Sequence, residues 1–278
     1  MMNATIDAHQ HFWKYNPAVH DWITDEMSVI RKDFLPQDLL LILQQNKIDG
    51  CIAVQADQSE KETNFLIGLA DKNNFIKAVV GWVDLRAKDI EERLIHYKQF
   101  PVVKGFRHVL QGEHPSFMLQ PAFLNGIAAL GKYGFTYDIL IYPKHLPAAI
   151  ELVKQFPEQL FVIDHIAKPF IKDGLLDEWK KGMHSIAQFP NVSCKISGMV
   201  TEADWKNWKQ EDFRPYLDTI VTAFGVNRLL YGSDWPVCLV AASYEKMMGI
   251  VHDYFSSFSF AEQASVFGLN ALQFYRLQ

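Results

Sequence analysis

One repeated alternation limits what this chain can fold into. Eight short apolar runs, rich in β-branched and aromatic residues, recur from end to end: Thr5–Phe12, Cys51–Ala56, Ala78–Leu85, Val102–Val109, Phe135–Tyr142, Phe161–Ile166, Val192–Ser197 and Arg228–Gly232. Between them lie segments with helical spacing. Pro36 stands where a first helical residue is tolerated, and Leu39, Leu40 and Leu43 follow on one face. Ser59-x-x-Glu62 and Ser259-x-x-Glu262 read as capping boxes. Gly131 and Gly134 close the segment carrying Leu124, Ile127 and Leu130. Strands linked by crossover helices imply a parallel sheet. Eight such units within 278 residues close most economically into a (β/α)8 TIM barrel of the α/β class, read as one domain over 1–278. An open doubly wound sheet would place a Gly-rich phosphate turn after its first strand; His9-Gln10-His11 stands there instead.

Composition excludes several classes. With 49% hydrophobic and 21% charged residues the chain is neither disordered nor low-complexity. The net charge is −5 and no long Lys/Arg cluster occurs, which disfavours nucleic-acid binding. The aliphatic run Leu39 to Leu43 is far too short to cross a bilayer. No basic, apolar leader precedes the first strand, so a cytoplasmic protein is expected. Cys51, Cys194 and Cys238 are scattered and odd in number, which suits a reducing compartment rather than a disulfide framework. Oligomeric state is left open.

A barrel of this kind gathers function at the C-terminal ends of its strands. The first run holds Asp7-x-His9-x-His11, and strict strand alternation sends all three side chains to one face, taken as the interior. Asp234 lies at the end of the eighth run, which barrel closure brings beside the first. Further polar strand ends are Lys104-Gly105-Phe106-Arg107-His108, Tyr137-Asp138, Asp164-His165-Ile166-Ala167-Lys168 and Lys195-Ile196-Ser197-Gly198. Each has a plain structural explanation when taken alone. Asp164 would cap a loop, Lys168 would be a solvated charge, and Arg107 would pair with Asp138. Recurrence at six strand ends weakens those explanations together, because unpaired charges are costly inside a barrel. Four of the ten histidines, His9, His11, His108 and His165, fall at strand ends; the other six are expected at the surface.

These motifs, in this order, resemble the amidohydrolase superfamily: Asp7-Ala8-His9-Gln10-His11-Phe12-Trp13, Lys104-Gly105-Phe106-Arg107-His108, Asp164-His165-Ile166-Ala167-Lys168-Pro169 and Tyr231-Gly232-Ser233-Asp234-Trp235-Pro236. Phe267-Gly268 followed by Asn270-Ala271 is similar to the family ending. The likeness is greatest to the lactonase branch, which acts on sugar lactones such as fuconolactone and rhamnonolactone or on 2-pyrone-4,6-dicarboxylate. The resemblance implies a barrel enzyme that hydrolyses a ring ester, with Asp234 as the general base. It implies catalytic roles for His165 and Arg107, and a metal- or substrate-holding set of His9, His11 and Asp234 with His165. One divalent metal, Zn²⁺, is expected as an optional rather than essential cofactor. Mononuclear members usually add a histidine at the end of the fifth strand, and Phe135-Thr136-Tyr137-Asp138-Ile139-Leu140 has none; His145 reads as loop.

Substrate contacts are expected from Gln55, His108, Asp138, Lys168, Trp13 and Trp235, with Trp82 and Trp205 as further aromatics suited to the apolar faces of a sugar ring. The small-molecule partner is thus a sugar lactone. Two other readings remain beside this one. A metal-dependent decarboxylase of an aromatic acid would need a full metal site, and a non-catalytic sugar-binding barrel would not need a base at position 234.

Overall fold

The computed structural model describes residues 4–277. Eight parallel strands follow one another in sequence order around a single sheet. They are β1 (Ile6–Gln10), β2 (Gly50–Val54), β3 (Ile76–Gly81), β4 (Val103–Val109), β5 (Thr136–Leu140), β6 (Phe161–Ile163), β7 (Val192–Ile196) and β8 (Leu229–Tyr231). The chain just beyond β8 closes the barrel onto β1: Asp234 N–H donates to the His9 carbonyl at 2.8 Å, and His11 N–H to the Trp235 carbonyl at 2.7 Å. The fold is a (β/α)8 TIM barrel, as the alternation predicts. Each predicted run contains or overlaps a strand. β6 is shorter than its run because the backbone leaves the sheet at Asp164.

The outer layer is α1 (Pro36–Gln45), α2 (Glu60–Ala70), α3 (Ile90–Tyr97), α4 (Pro121–Tyr133), α5 (Leu146–Gln155), α6 (Asp177–Ile186), α7 (Gln210–Phe224) and α8 (Tyr244–Phe255). Their starts follow the sequence signals. Pro36 opens α1, and the Asp38 carboxylate accepts from Leu35 N–H at 2.8 Å. Ser243 caps α8 through Lys246 N–H. Gly134 ends α4 in the left-handed region at φ +76°, where a side chain is disfavoured. The first capping box is only half made. Ser59 Oγ accepts from Glu62 N–H, but the Glu62 carboxylate turns inward to Ala56 N–H at 2.7 Å. At Ser259 both halves form, starting α9 (Phe260–Ala264).

A π turn at Ser265–Leu269 leads from α9 into α10 (Asn270–Phe274). α10 and Tyr275 plug the N-terminal end of the barrel. Ala271, Phe274 and Tyr275 join Ile6, Ala8, Ile52, Val54, Ala78, Val80, Val162 and Leu230 in one buried cluster. Apolar residues therefore fill the lower barrel, and charged residues are confined to the layers above. Among the described residues no helix is long and apolar enough to cross a membrane.

Candidate active site

β1 departs from simple alternation. Asp7 pairs with Cys51, yet Gln10 pairs with Ala53, so β1 carries one extra residue across that interval. The bulge changes which side chains face inward. Ile6 and Ala8 join the inner cluster. His9 and His11 meet the interior carboxylates described below, whereas Gln10 Nε2 donates to Cys51 Sγ at 3.3 Å on the outer side. Asp7 does not share the face of His9 and His11. It lies against the helix layer, accepting from Tyr244 Oη of α8 at 3.1 Å. The expectation that all three point inward is corrected, because the bulge breaks the period of two.

Above the apolar floor lies a layer of paired charges. Lys195 Nζ, fully buried, donates to Asp138 Oδ2 at 2.5 Å and lies 3.0 Å from Asp164 Oδ1. Tyr275 Oη donates to Asp138 from below at 2.9 Å. Arg107 Nη1 donates to Asp164 Oδ2 at 3.0 Å, and Nη2 donates to the Gln55 carbonyl. Arg107 thus pairs with Asp164, not Asp138. Burial pushes the Asp138 carboxyl up to about 6 even against the pull of Lys195. Asp164 sits well below the usual carboxylate range, because Lys195, His9 and Arg107 outweigh its burial.

Four groups converge over this layer. His9 Nδ1 lies 3.2 Å from Asp164 Oδ1 and 3.1 Å from Lys195 Nζ, while His9 Nε2 accepts from Arg107 Nη1 at 3.2 Å. A lone pair on Nε2 puts the ring proton on Nδ1, toward Asp164, so that Lys195 Nζ is a close neighbour of that nitrogen and not a donor to it. His11 Nδ1 lies 2.8 Å from the Val54 carbonyl, which only accepts, so Nδ1 carries a proton and Nε2 is turned toward the site. That Nε2 is 3.2 Å from His9 Nε2 and 3.4 Å from Asp234 Oδ1. His165 Nδ1 is 2.9 Å from Ser197 Oγ, and its Nε2 is 3.9 Å from Asp234 Oδ1. Burial lowers the pKa of His9 and of His165 well below the ordinary imidazole value, so both rings are neutral. Burial alone would raise the Asp234 carboxyl; the neighbouring His165 and His11 and the Lys168 charge bring it below its usual value. The arrangement presents an ionised carboxylate beside neutral imidazoles with Arg107 close by. That is chemistry suited to deprotonating water and holding a developing oxyanion.

Two unusual backbone segments make this convergence. His165, Ile166, Ala167 and Lys168 all have positive φ, between +48° and +59°, in one left-handed turn after β6. Trp179 Nε1 donates to the Ile166 carbonyl at 2.7 Å and holds that turn. Asp234 also has positive φ, +58°.

His9, His11 and Asp234 are buried donors lying within 4.8 Å of one another, a set able to hold a metal ion. Tetrahedral zinc with bonds of about 2.0–2.1 Å needs donors roughly 3.3 Å apart. The separations here are 3.2, 3.4 and, for His9 Nε2 to Asp234 Oδ1, 4.0 Å. The donor chemistry and spacing fit, with Arg107 competing for the single Nε2 lone pair of His9.

The other expected contacts fall in different places. Lys168 Nζ donates to Glu202 Oε1 at 2.7 Å and lies over the Tyr142 ring beside Asp234's turn. Gln55 Nε2 donates to the Arg107 carbonyl, and its Oε1 has no partner. His108 accepts from the Trp82 indole at 3.4 Å and stacks on Phe117. Asp138 lies beneath the site, enclosed by Lys195 and Tyr275, and reaches the His9 layer only through Lys195. Trp13 and Trp235 are 1% exposed and offer no open ring face. Both pack edge-on against Phe34, wedging the loops after β1 and β8 together, so they shape the site from behind. Trp205 binds its indole N–H to Thr201 within its own turn. His145 is buried, its Nε2 3.0 Å from the Glu113 carbonyl, and stays out of the site. His20 is also buried rather than at the surface, packed between Trp13 and Tyr15. The sequence marks Lys195 and Asp164 only as polar strand ends, without a role in the site. Their signal was a charged residue at an inward position between apolar neighbours, as in Cys194-Lys195-Ile196.

Comparison with known proteins agrees with this geometry. The amidohydrolase family model matches residues 6–277. The chain belongs to the amidohydrolase family. It is 38% identical over 284 residues to the L-fucono-1,5-lactonase of Burkholderia multivorans, covering 98% of this chain and 96% of that protein. It is 24% identical over 237 residues to the L-rhamnono-gamma-lactonase of Scheffersomyces stipitis, covering 74% and 70%. A crystal structure of a Burkholderia multivorans amidohydrolase with bound zinc superposes with a TM-score of 0.95 at 38% identity, covering 99% of this chain and 100% of that one.

Proposed function

We propose that this amidohydrolase opens a sugar-derived lactone, an aldonolactone such as L-fuconolactone or L-rhamnonolactone, to its hydroxy acid. The observation that carries the reading is the buried Asp234 carboxylate held among His11, His165 and His9 at 3.4, 3.9 and 4.0 Å. The likeness to L-fucono-1,5-lactonase supports the substrate class.

In this reading Asp234 removes a proton from water as the water oxygen bonds to the lactone carbonyl carbon. The carbonyl oxygen takes the electron pair and is met by Arg107 and by His165, whose Nε2 carries the ring proton when Ser197 Oγ donates to Nδ1. Collapse breaks the ring C–O bond, and the leaving alkoxide recovers the proton from Asp234. Gln55, with its unpartnered Oε1, together with His108 and Lys168, would hold ring hydroxyls. His9, His11 and Asp234, with His165, would hold a Zn²⁺, which when bound polarises the carbonyl and acidifies water. We take that ion as optional, since Arg107 already donates to the same His9 nitrogen. The three unpaired, buried cysteines suit a reducing, cytoplasmic setting.

The test is acid release across a panel of aldonolactones, followed with a pH indicator, with and without chelator. Turnover of a deoxy-sugar lactone that chelation only partly reduces is expected. Inactivity on every aldonolactone, with or without added zinc, would overturn the substrate class. Complete loss on chelation, restored by one equivalent of zinc, would make the ion essential.

A further inference from the structure

Asp234 does not hold its own position. Its backbone is in the left-handed region at φ +58°, which is unfavourable for an aspartate unless its surroundings enforce it. Beside the direct bond from Asp234 N–H to the His9 carbonyl, the enforcement comes from Asp7, the residue that the β1 bulge turns away from the site. Its carboxylate is fully buried and accepts four hydrogen bonds. Oδ1 takes Ser233 N–H at 2.9 Å and His9 N–H at 3.2 Å. Oδ2 takes Ser233 Oγ at 2.6 Å and Tyr244 Oη at 3.1 Å.

The directions of these bonds are fixed. Ser233 Oγ accepts from Trp235 N–H at 3.0 Å, and its single proton goes to Asp7. One carboxylate therefore binds the backbone of His9 on one side and both the backbone and side chain of Ser233, the residue before Asp234, on the other. Gly232 completes the fit: a side chain there would sit 2.6 Å from His9 Cβ, so the two segments can touch only with glycine at this position.

We propose that Asp7 is a positioning residue: it locks the Ser233–Asp234 turn to the bulged His9 backbone and thereby sets the Asp234 carboxylate against His11 and His165. This rests on the reading of Asp234 as the base. Asp7 reaches no reacting atom, because Ser233, His9 and Tyr244 surround it. An asparagine at position 7 is the same size, yet it cannot keep all four bonds as they stand, because the two hydroxyls now donate to Asp7 and would have to turn their protons away. With its oxygen on the Ser233 and His9 amides, its NH₂ group meets the two hydroxyls and reverses those bonds; the other way round, NH₂ faces N–H.

The experiment compares Asp7→Asn, Ser233→Ala and Tyr244→Phe with the parent in lactone hydrolysis, and repeats Asp7→Asn on the Asp234→Asn background. Small displacement of a reacting group lowers kcat, so falls on the order of 10- to 100-fold are expected for Asp7→Asn with KM little changed. Ser233→Ala and Tyr244→Phe each remove one donor and should move kcat in the same direction by less; they carry the test if Asp7→Asn does not fold. On the residual activity of Asp234→Asn, the Asp7 substitution should add almost nothing, since its effect passes through the missing base. Parent-like kcat in all three single variants overturns the proposal. So does an Asp7 effect that multiplies in full with that of Asp234→Asn, which marks a general structural role. If Asp234→Asn alone keeps full activity, the reading of Asp234 as base fails first and is recognised separately.

Discussion

Asp234→Asn keeps the shape of the side chain and removes its basicity. Because Asp234 is ionised and faces neutral imidazoles, the substitution should cost about 10²–10⁴-fold in turnover while thermal stability stays near that of the parent. Initial rates on a responsive lactone, beside a melting curve, decide it; near-parent rates remove Asp234 from the mechanism. Glu62 makes a different prediction. Its carboxylate turned inward from the capping box, Oε2 has no partner, and burial raises its pKa from 4.5 to about 8. Between those values the folded chain keeps a proton that the unfolded chain has lost. Stability from this group is therefore intact below about 4.5, falls as pH rises, and is gone above about 8. Glu62→Gln should melt several degrees higher than the parent at pH 9 and gain much less at pH 5. An equal shift at both pH values would show that ionisation of Glu62 is not the cause.

At the scale of elements, the site depends on places where the chain leaves its regular course. The positions of all eight strands could be read from apolar runs, because burial on both faces leaves a clear mark in sequence. The bulge in β1 could not. Ile6, Asp7, Ala8 and His9 alternate apolar and polar as a regular strand would, and only pairing with β2 shows the extra residue. The left-handed turn at His165–Lys168 was equally hidden, since none of its residues is glycine. Its neighbour is more informative. Gly198 has φ +61°, and a Cβ there would lie 2.5 Å from His165 Nδ1. Gly198→Ala should both strain the backbone and push the imidazole away from Ser197 and Asp234. We expect reduced kcat with a lowered melting temperature. A variant with parent-like rates would show that the orientation of His165 does not matter to turnover.

Across the whole molecule, one buried chain of polar contacts runs from the plugged end of the barrel to the site. Tyr275, just after α10, donates to Asp138; Lys195 joins Asp138 to Asp164; and Lys195 and Asp164 both touch His9. Sequence reading placed Asp138 among substrate contacts because it ends a strand. The register instead sets it in the middle of β5, opposite Arg107 on β4, where Tyr275 reaches it from below. No local signal marks Tyr275, which is distant from the site in sequence and meets it only because α10 folds under the barrel. Removing the Tyr275 hydroxyl leaves Asp138 with Lys195 alone in a buried layer whose charges are otherwise matched. A hydrogen bond to a charged, buried acceptor contributes about 1.5–3 kcal/mol. Tyr275→Phe keeps the ring that packs among Ile6, Ala8 and Leu230, so any loss comes from the hydroxyl. We expect a melting temperature lower by roughly 5 °C for a chain of this size. A smaller fall in kcat should accompany it, because the disturbance reaches His9 through Lys195. Urea unfolding of the parent and Tyr275→Phe, with rates measured on the same samples, tests both parts; identical stability would mean that the polar chain ends at Lys195 and that the C-terminal plug acts through its apolar packing alone.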